Sequence, residues 1–199
     1  MKAFWNERYS ETQYVYGKAP NAFFREHAGK LKPGRALFPM EGEGRNAVYA
    51  AGLGWQVSCF DYSDAGRNKA LALAREAGVA IDYQVSDLRD YPFASRPAVG
   101  LVGLFFAHQP PGERLFLHQS CVESLEPGGL LILEAFAKGQ LGYQSGGPRR
   151  EDMLFSSEEL RADFSGLQIL LLEEMETTLS EGPYHVGPAR VIRLIGKKN

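Results

Sequence analysis

The sequence predicts an α/β fold with a mostly parallel sheet of seven strands, an antiparallel last strand, and helices on both faces. Two observations support this prediction. Apolar segments typical of strands alternate with segments typical of helices over most of the chain, which favours parallel strands linked by helical crossovers. Near the C-terminus, two long extended segments are separated only by Glu181-Gly182-Pro183, and strands joined by so short a turn must be antiparallel.

The first half of the sheet is predicted from the order of its apolar segments. Residues 35–38 predict strand one, and the alanine-rich residues 45–51 predict the helix that follows it. Residues 55–60 predict strand two. Residues 65–77 then predict a helix that ends at Gly78, because glycine commonly follows the last turn of a helix.

The middle of the chain continues the same alternation. Residues 80–85 and 99–106 predict strands three and four, and residues 112–125 predict a helix. The turn Glu126-Pro127-Gly128-Gly129 precedes strand five at residues 129–134.

The C-terminal part begins with a short helix. Ser156-Ser157-Glu158-Glu159 has the spacing of a capping box and predicts the start of that helix. Residues 167–179 and 185–195 predict the last two strands. No internal repeat, low-complexity segment or long linker interrupts the chain, so we expect residues 1–199 to form one domain.

Composition and charge exclude several functional classes. The 199 residues are 44% hydrophobic and 23% charged, and the formal net charge of -2 gives no general attraction to nucleic acid or anionic membranes. The N-terminal residues do not resemble a signal peptide, and the longest apolar run, residues 98–107, is shorter than the roughly 20 residues that a membrane-spanning helix needs. We therefore expect a cytoplasmic monomer or weak dimer that binds a small-molecule substrate, with no nucleic acid or membrane partner.

The two cysteines predict neither a disulfide nor a metal site. Cys59 lies in a strand-like segment and Cys121 among helix-like residues, and neither has CxxC or Cys/His spacing. We expect both to be buried thiols in a reducing compartment, and we expect no metal ion.

A glycine-rich turn follows strand one. The segment ALFPMEGEGRNA, residues 36–47, places Gly42, Gly44 and Ala47 in a GxGxxA pattern between a predicted strand and a predicted helix. This pattern fits a nucleotide-like cofactor, and it equally fits a tight turn without a ligand. The rest of the chain must decide between these two interpretations.

Two acidic residues lie at the predicted carboxyl ends of strands two and three. Asp61 lies 17 residues beyond Gly44, where a carboxylate accepts hydrogen bonds from the ribose hydroxyls of a nucleoside. Its alternative role is that of a solvated carboxylate at a strand end. Asp87, in Ser86-Asp87-Leu88, is placed to contact an adenine edge or to cap the next helical turn.

Several segments together resemble a known family. GEGRNAVYAAGLGWQVSCFDYS, SDL after strand three, LEPGG before strand five and the terminal hairpin resemble a class I S-adenosylmethionine-dependent methyltransferase over essentially the whole chain. Within this superfamily, EGEGRNAVYAA, GYQSGGP and EGPYHVGPARV resemble the tellurite-resistance and thiopurine methyltransferase group. The resemblance implies S-adenosylmethionine as cofactor and a Rossmann-like, seven-stranded sheet with an antiparallel last strand.

The first turn departs from the superfamily pattern of an acidic residue followed by three spaced glycines. Phe38 replaces the acidic residue, and Met40 replaces the first glycine. A side chain at position 40 restricts the backbone where glycine would be free, so the approach to the methionine part of the cofactor is expected to differ. Glu41 is placed either to meet the ammonium group of the cofactor or to remain a solvated carboxylate in the turn.

The first 30 residues are expected to cover the cofactor, as the resembling group implies. The alternative is that their aromatic side chains only attach this segment to the core. The aromatic residues are Tyr9, Tyr14, Tyr16, Phe23 and Phe24. The complete predicted set of cofactor-binding residues is Tyr14, Tyr16, Glu41, Gly42, Gly44, Arg45, Asn46, Asp61, Tyr62, Ser63, Asp87, Leu88, Phe105 and His108.

The predicted catalytic residues are His185, Arg190 and Arg149. Arginine suits a small oxyanion because its planar fork matches such oxygens, and His185 is a candidate to take a proton from a thiol. The alternative for the arginines is that they are solvated surface residues, and the alternative for His185 is that it only packs against its neighbours. The remaining candidates near the acceptor are His108, Tyr143 and Arg150.

These residues predict a methyltransferase whose acceptor is a small soft nucleophile. The candidates are an oxyanion such as tellurite or selenite, a thiol, or a thiopurine. A protein that binds S-adenosylmethionine without catalysis is the first alternative, because Phe38 and Met40 depart from the usual turn. An NAD-dependent oxidoreductase is the second, because the glycines and Asp61 also fit its fingerprint, although Asp87 and the C-terminal hairpin disfavour it.

Overall fold

A sheet of seven strands runs through the structure, a computed structural model that describes residues 2–199. The strands are β1 (Arg35–Pro39), β2 (Gln56–Asp61), β3 (Asp82–Val85), β4 (Val99–Phe105), β5 (Leu125–Phe136), β6 (Leu167–Glu181) and β7 (His185–Lys198). The α-helices are α1 (Lys2–Tyr9), α2 (Ala22–Ala28), α3 (Arg45–Gly52), α4 (Asp64–Glu76), α5 (Pro111–Ser124) and α6 (Ser157–Asp163). Short 3-10 helices lie at Phe93–Ser95, Lys138–Gly142 and Glu151–Met153.

The strand order is β3-β2-β1-β4-β5-β7-β6. Neighbouring strands are parallel from β3 to β5, and β7 is antiparallel to both β5 and β6. The predicted mostly parallel sheet with an antiparallel last strand is therefore confirmed. The order reverses between β1 and β4, and ligands of open α/β sheets bind beyond the carboxyl ends of the strands at such a point.

Successive side chains of β1 point into two different cores. Leu37 belongs to a cluster that includes Leu117 of α5, whereas Phe38 belongs to a cluster that includes Ala47 of α3. Phe38 is fully buried, and a Cβ added at Gly103 on the neighbouring strand would lie within 2.7 Å of its ring. The residue that replaces the superfamily acid is thus a core residue, and helices cover both faces of the sheet.

Two features differ from the sequence prediction. The strand predicted at residues 129–134 already begins at Leu125, which pairs with Val99 before a register shift. The predicted turn is contained in this irregular pairing, with Gly128 at a φ of 81°.

The N-terminal segment contains α1 and α2, which were not predicted because both are short. Asn21 caps α2 by accepting a hydrogen bond from the Phe24 amide at 3.0 Å.

Both cysteines are buried free thiols. Burial raises the pKa of Cys59 and of Cys121, so neither side chain is a thiolate at neutral pH. In residues 2–199, no set of three or more His, Cys, Asp or Glu side chains is arranged to hold a metal ion. Over the same range, no helix is both long enough and apolar enough to span a membrane.

The turn between β1 and α3 has a left-handed backbone at three positions. Met40, Gly42 and Gly44 have φ values of 54°, 60° and 86°. Met40 thus adopts the conformation that glycine favours, at a cost of order 1–3 kcal/mol, while its side chain packs against the core. At Gly44, an added Cβ would lie 2.5 Å from the Ala70 side chain, so this glycine permits the close approach of α4.

We predict that Gly44→Ala lowers the free energy of unfolding by at least about 2 kcal/mol, because it combines a left-handed alanine with a clash. Gly52→Ala is the matched control at the other end of α3, where an added Cβ meets no atom within 4 Å. The control should be neutral or stabilising by up to about 1 kcal/mol. Urea denaturation measures both values, and equal stabilities of the two variants would contradict this account of the turn.

Candidate functional site

A cavity of about 450 Å³ lies beyond the carboxyl ends of the parallel strands. Its volume falls within the range of about 300–1,000 Å³ that is typical of small-molecule sites. The glycine-rich turn, the residues after β2, β4 and β5, and the N-terminal segment form its walls. The predicted site residues that line it are Tyr16, Glu41, Arg45, Asn46, Asp61, Tyr62, Phe105, His108 and His185.

Asp61 lies at one end of this cavity with its carboxylate fixed by the backbone. Oδ2 accepts a hydrogen bond from the Gly42 amide at 3.2 Å, and Oδ1 accepts one from the Ser63 amide at 3.0 Å. Burial raises the pKa of Asp61 to about 6. A carboxylate has about four lone-pair sites, so the Asp61 oxygens retain capacity for the hydroxyl groups of a ligand.

Glu41 provides a second carboxylate at the same end. Its Oε1 accepts hydrogen bonds from the amides of Asn46 and Ala47 at 2.8 and 2.7 Å, which caps the first turn of α3. Burial raises the pKa of Glu41 to about 7, so the side chain is not a freely solvated turn carboxylate. In the described chain, neither Glu41 nor Asp61 forms an ion pair, and this end of the cavity therefore suits a cationic ligand.

Glu43 attaches the N-terminal segment to the glycine-rich turn. Its Oε2 accepts hydrogen bonds from the amides of Val15 and Tyr16 at 2.9 and 3.4 Å, and its Oε1 lies 2.7 Å from the Lys69 ammonium group. Sequence reasoning did not select Glu43. A buried carboxylate in the turn could have been suspected from the EGEG repeat, but its partners lie 26 to 28 residues away.

The N-terminal segment closes over the same turn. Tyr9 is buried, and a Cβ added at Gly42 would lie 2.5 Å from the Tyr9 hydroxyl oxygen. The Arg8 guanidinium lies between the rings of Phe4 and Tyr184, 4.6 and 4.3 Å from their centroids. Tyr9, which the sequence analysis named only as an aromatic residue of the expected cover, lines the cavity, and so does Arg8, which was missed.

The other end of the cavity is aromatic and surrounds His185. The imidazole centroid lies 4.4 Å from the ring of Tyr16, 4.7 Å from Phe106 and 5.2 Å from Phe136. Phe106 has a φ of 52°, a strained value for a residue with a side chain. Phe106 directly follows β4, and Phe136 is the last residue of β5. Their position at the carboxyl ends of strands was the feature of the sequence that could have indicated a place in the cavity wall.

His108 is held as a neutral imidazole. Its Nε2 accepts a hydrogen bond from the Phe136 amide at 3.1 Å, so Nδ1 carries the proton and donates to the Met153 carbonyl at 2.7 Å. Burial lowers the pKa of His108 to about 4. Both nitrogens are therefore occupied, and His108 shapes the cavity wall without a free proton-accepting site.

The predicted catalytic arginines lie outside the cavity. Arg190 Nε donates to Glu174 at 2.8 Å. Arg149 contacts the Tyr143 carbonyl at 3.0 Å, and Arg150 pairs with Asp152. Tyr143 is also on the surface, where its hydroxyl donates to Glu176 at 2.6 Å.

The remaining predicted residues act in the local structure around the cavity. Gly42 and Gly44 shape the turn, and Ser63 caps α4. Asp87 and Leu88 form a turn in which Asp87 Oδ1 accepts a hydrogen bond from the Leu88 amide.

Tyr14 points away from the cavity, and its hydroxyl donates to the Lys69 carbonyl at 3.0 Å. Phe23 and Phe24 belong to the core of the sheet.

Comparison with known proteins gives one family match and several structural likenesses. Residues 40–129 match the family model described as a methyltransferase domain. Comparison with curated protein sequences gives no significant match.

Three solved structures illustrate the likeness in fold. The protein studied for the conversion of a disulfide bond into a thioacetal group during echinomycin biosynthesis is 16% identical, with a TM-score of 0.80 over 100% of this chain and 92% of that chain. TehB from Haemophilus influenzae is 15% identical, with a TM-score of 0.74 over 100% of this chain and 67% of the TehB chain. Magnesium protoporphyrin IX methyltransferase from Synechocystis, with bound S-adenosylhomocysteine, is 15% identical, with a TM-score of 0.69 over 100% of this chain and 97% of that chain.

The structural likenesses establish a shared fold, and TehB is a distant one. No thiopurine methyltransferase is among these three structures. The donor set fits S-adenosylmethionine, because the buried Asp61 and the half-buried Glu41 line the cavity and form no ion pair within residues 2–199, so both carboxylates suit a cationic nucleoside. The methyltransferase match and the shared fold support an S-adenosylmethionine-dependent methyltransferase with S-adenosylmethionine as its cofactor.

Proposed function

We propose that this chain methylates a small soft nucleophile, and that the acceptor is a thiol or a thiopurine rather than a tellurium or selenium oxyanion. The observation that carries the proposal is the division of the cavity. Carboxylates without ion-pair partners lie at one end, and His185 lies among aromatic rings at the other. The first end suits a cationic cofactor, and the second suits a polarisable acceptor without charge.

The cofactor is assigned to the carboxylate end. S-adenosylmethionine supplies a methyl group activated by a sulfonium, whose loss leaves a neutral thioether. Asp61 would accept hydrogen bonds from the ribose hydroxyls, and Glu41 lies close enough in the turn to attract the ammonium group. The main contribution of the protein is then alignment of the reactants, which can supply roughly 7–11 kcal/mol of the barrier reduction.

The acceptor is assigned to the aromatic end. Burial lowers the pKa of His185, so at neutral pH the imidazole is uncharged and able to accept a proton. In the proposed step, the acceptor sulfur forms a bond to the methyl carbon as its proton moves to His185. The electron pair of the broken carbon–sulfur bond stays on the cofactor sulfur, and the imidazolium later releases the proton to water.

An oxyanion acceptor has less support from the charges around the cavity. Arg190 and Arg149 do not line it, and Arg45 is paired with Glu181 at 2.8 Å. Arg8 remains as a cation near the N-terminal wall, stacked between two rings. One structurally similar protein takes part in the conversion of a disulfide bond into a thioacetal, which is a reaction at sulfur.

The non-catalytic alternative rested on the altered turn. Met40 takes a glycine-like φ of 54° with its side chain on the core, and Phe38 is fully buried. The turn therefore accommodates both side chains without blocking the cavity, which weakens the reason to expect binding without catalysis.

We predict that the protein binds S-adenosylmethionine and S-adenosylhomocysteine in the micromolar range and has no measurable affinity for NAD. Asp61→Ala should weaken S-adenosylhomocysteine binding by roughly 1.5–3 kcal/mol, because hydrogen bonds to a charged acceptor are lost. Asp90→Ala is the matched control, since Asp90 is an exposed carboxylate shortly after β3 that does not line the cavity. Calorimetry tests all three points, and equal effects of the two variants would remove the ribose role of Asp61.

We predict that residues 8–20 form a cover that becomes more protected when cofactor binds. Hydrogen exchange of these residues should slow on addition of S-adenosylhomocysteine. Glu43→Gln should reduce this protection, because Glu43 holds the Val15 and Tyr16 amides. Glu76→Gln is the control, since Glu76 pairs with Lys18 of the same segment on the exposed surface. Exchange that does not respond to ligand would leave the segment a packing role only.

We predict that thiols or thiopurines, but not tellurite or selenite, are methylated in an assay for S-adenosylhomocysteine formation. His185→Ala should lower kcat by about 10²-fold or more, because a general base contributes about that much. Arg190→Ala should leave kcat and KM nearly unchanged, since its guanidinium pairs with Glu174 outside the cavity. Turnover of tellurite that depends on Arg190 would restore the oxyanion alternative, and rapid methylation of a protein or RNA would reject a small acceptor.

A further inference from the structure

Glu181 is a buried carboxylate beside His185 that the proposed chemistry has not yet used. It ends β6, four residues before His185 begins β7, and its side chain is 11% exposed. Oε2 lies 2.8 Å from Arg45 Nη2 and 3.5 Å from His185 Nδ1. Oε1 accepts a hydrogen bond from Asn21 Nδ2 at 3.2 Å. The carboxylate therefore joins the hairpin, the first turn of α3 and the N-terminal segment at one point.

The charge of Glu181 determines which nitrogen of His185 carries the proton. Burial alone would raise the pKa of Glu181, but contacts with His185 and Arg45 hold this pKa at about 2. The carboxylate is therefore ionised at neutral pH. A neutral imidazole that faces an ionised carboxylate with Nδ1 keeps its proton on that nitrogen. The lone pair is then on Nε2, which forms no hydrogen bond within residues 2–199.

The imidazole ring is also held in place by packing. His185 is 5% exposed, and the rings of Tyr16, Phe106 and Phe136 surround it. On a further side, a Cβ added at Gly146 would lie 2.7 Å from His185 Cδ2. A ring flip would therefore require several neighbours to move.

Other ionisable groups around His185 do not replace Glu181. Arg45 and Arg8 are cations and lower the pKa of His185, in the same direction as the larger effect of burial. His108 is neutral because burial lowers its pKa to about 4, and burial raises the pKa of Tyr16, which keeps its hydroxyl protonated. Glu181 is the carboxylate that opposes these effects.

We propose that Glu181 is a positioning residue that fixes His185 as the Nδ1–H tautomer and leaves Nε2 as the proton acceptor for the methyl acceptor. This inference rests on the proposed role of His185 as a base. Arg45 shares the carboxylate and directly follows the glycine-rich turn, so the orientation of the base is tied to the wall of the cofactor site. Glu181 itself does not touch the reacting atoms.

The tautomer is measured directly by long-range ¹H–¹⁵N NMR of protein labelled at histidine, with the His185 signals assigned by His185→Gln. In the unaltered protein at pH 8, we expect the Nδ1–H form of His185. An Nε2–H form there would overturn the proposal without any further variant, whether or not an acceptor has been found.

Glu181→Gln then tests the role of the carboxylate. The substitution removes the negative charge but leaves a weaker oxygen acceptor between Arg45 and Nδ1, so we expect the preference for the Nδ1–H tautomer to weaken, the pKa of His185 to fall, and kcat on a thiol such as thiophenol to drop by about 10²-fold. Glu176→Gln is the control from the exposed part of the same strand, and it should leave the His185 signals unchanged. An unchanged tautomer and pKa in Glu181→Gln would overturn the proposal.

A failure of the proposed function would look different. If His185 has the expected tautomer and responds to Glu181→Gln, but thiophenol and the wider panel are not methylated, the positioning role stands and the assigned acceptor is wrong. If Glu181→Gln lowers kcat while the His185 signals are unaltered, the carboxylate acts on stability alone and the positioning role is rejected.

Discussion

The rest of the site depends on how backbone amides in and around one turn satisfy three carboxylates that are wholly or partly buried. Asp61 accepts from Gly42, Glu41 accepts from the first turn of α3, and Glu43 accepts from the N-terminal segment. A carboxylate is costly to bury unless hydrogen bonds compensate, and a helix start leaves amides that need acceptors. The amides compensate the burial of the carboxylates, and the carboxylates give the free amides an acceptor. These hydrogen bonds together fix the path of the turn, the start of α3 and the position of the N-terminal segment above it.

This arrangement separates the cavity into two chemical environments. Glu41 and Asp61 keep oxygen capacity for a ligand because mainly backbone amides, and no ion pair within residues 2–199, compensate their burial. At the other end, the rings around His185 exclude water, and the arginines within reach are already paired or stacked. This separation supports the proposed pairing of a cationic methyl donor with an uncharged polarisable acceptor, because a strongly hydrated oxyanion would find few free donors there.

The mostly parallel sheet with its antiparallel last strand and the location of the site were predictable because they depend on local patterns. Alternating apolar segments and the short turn at Gly182 determine the sheet, and the position of Asp61 after β2 brings it to the cavity. The roles of Glu43 and Glu181 were not predictable, because their partners are distant in sequence. Arg190 shows the limit of residue type as a signal: its guanidinium suits an anion, but the register of β6 and β7 places it opposite Glu176, outside the cavity.

A crystal structure with S-adenosylhomocysteine tests the central claim most directly, because it shows which end of the cavity each part of the ligand occupies. The account predicts ribose hydroxyls on the Asp61 carboxylate, the ammonium group near Glu41, and the sulfur directed towards the rings of Phe106 and His185. A ligand with its ribose at the aromatic end, or with its sulfur directed away from His185, would contradict it.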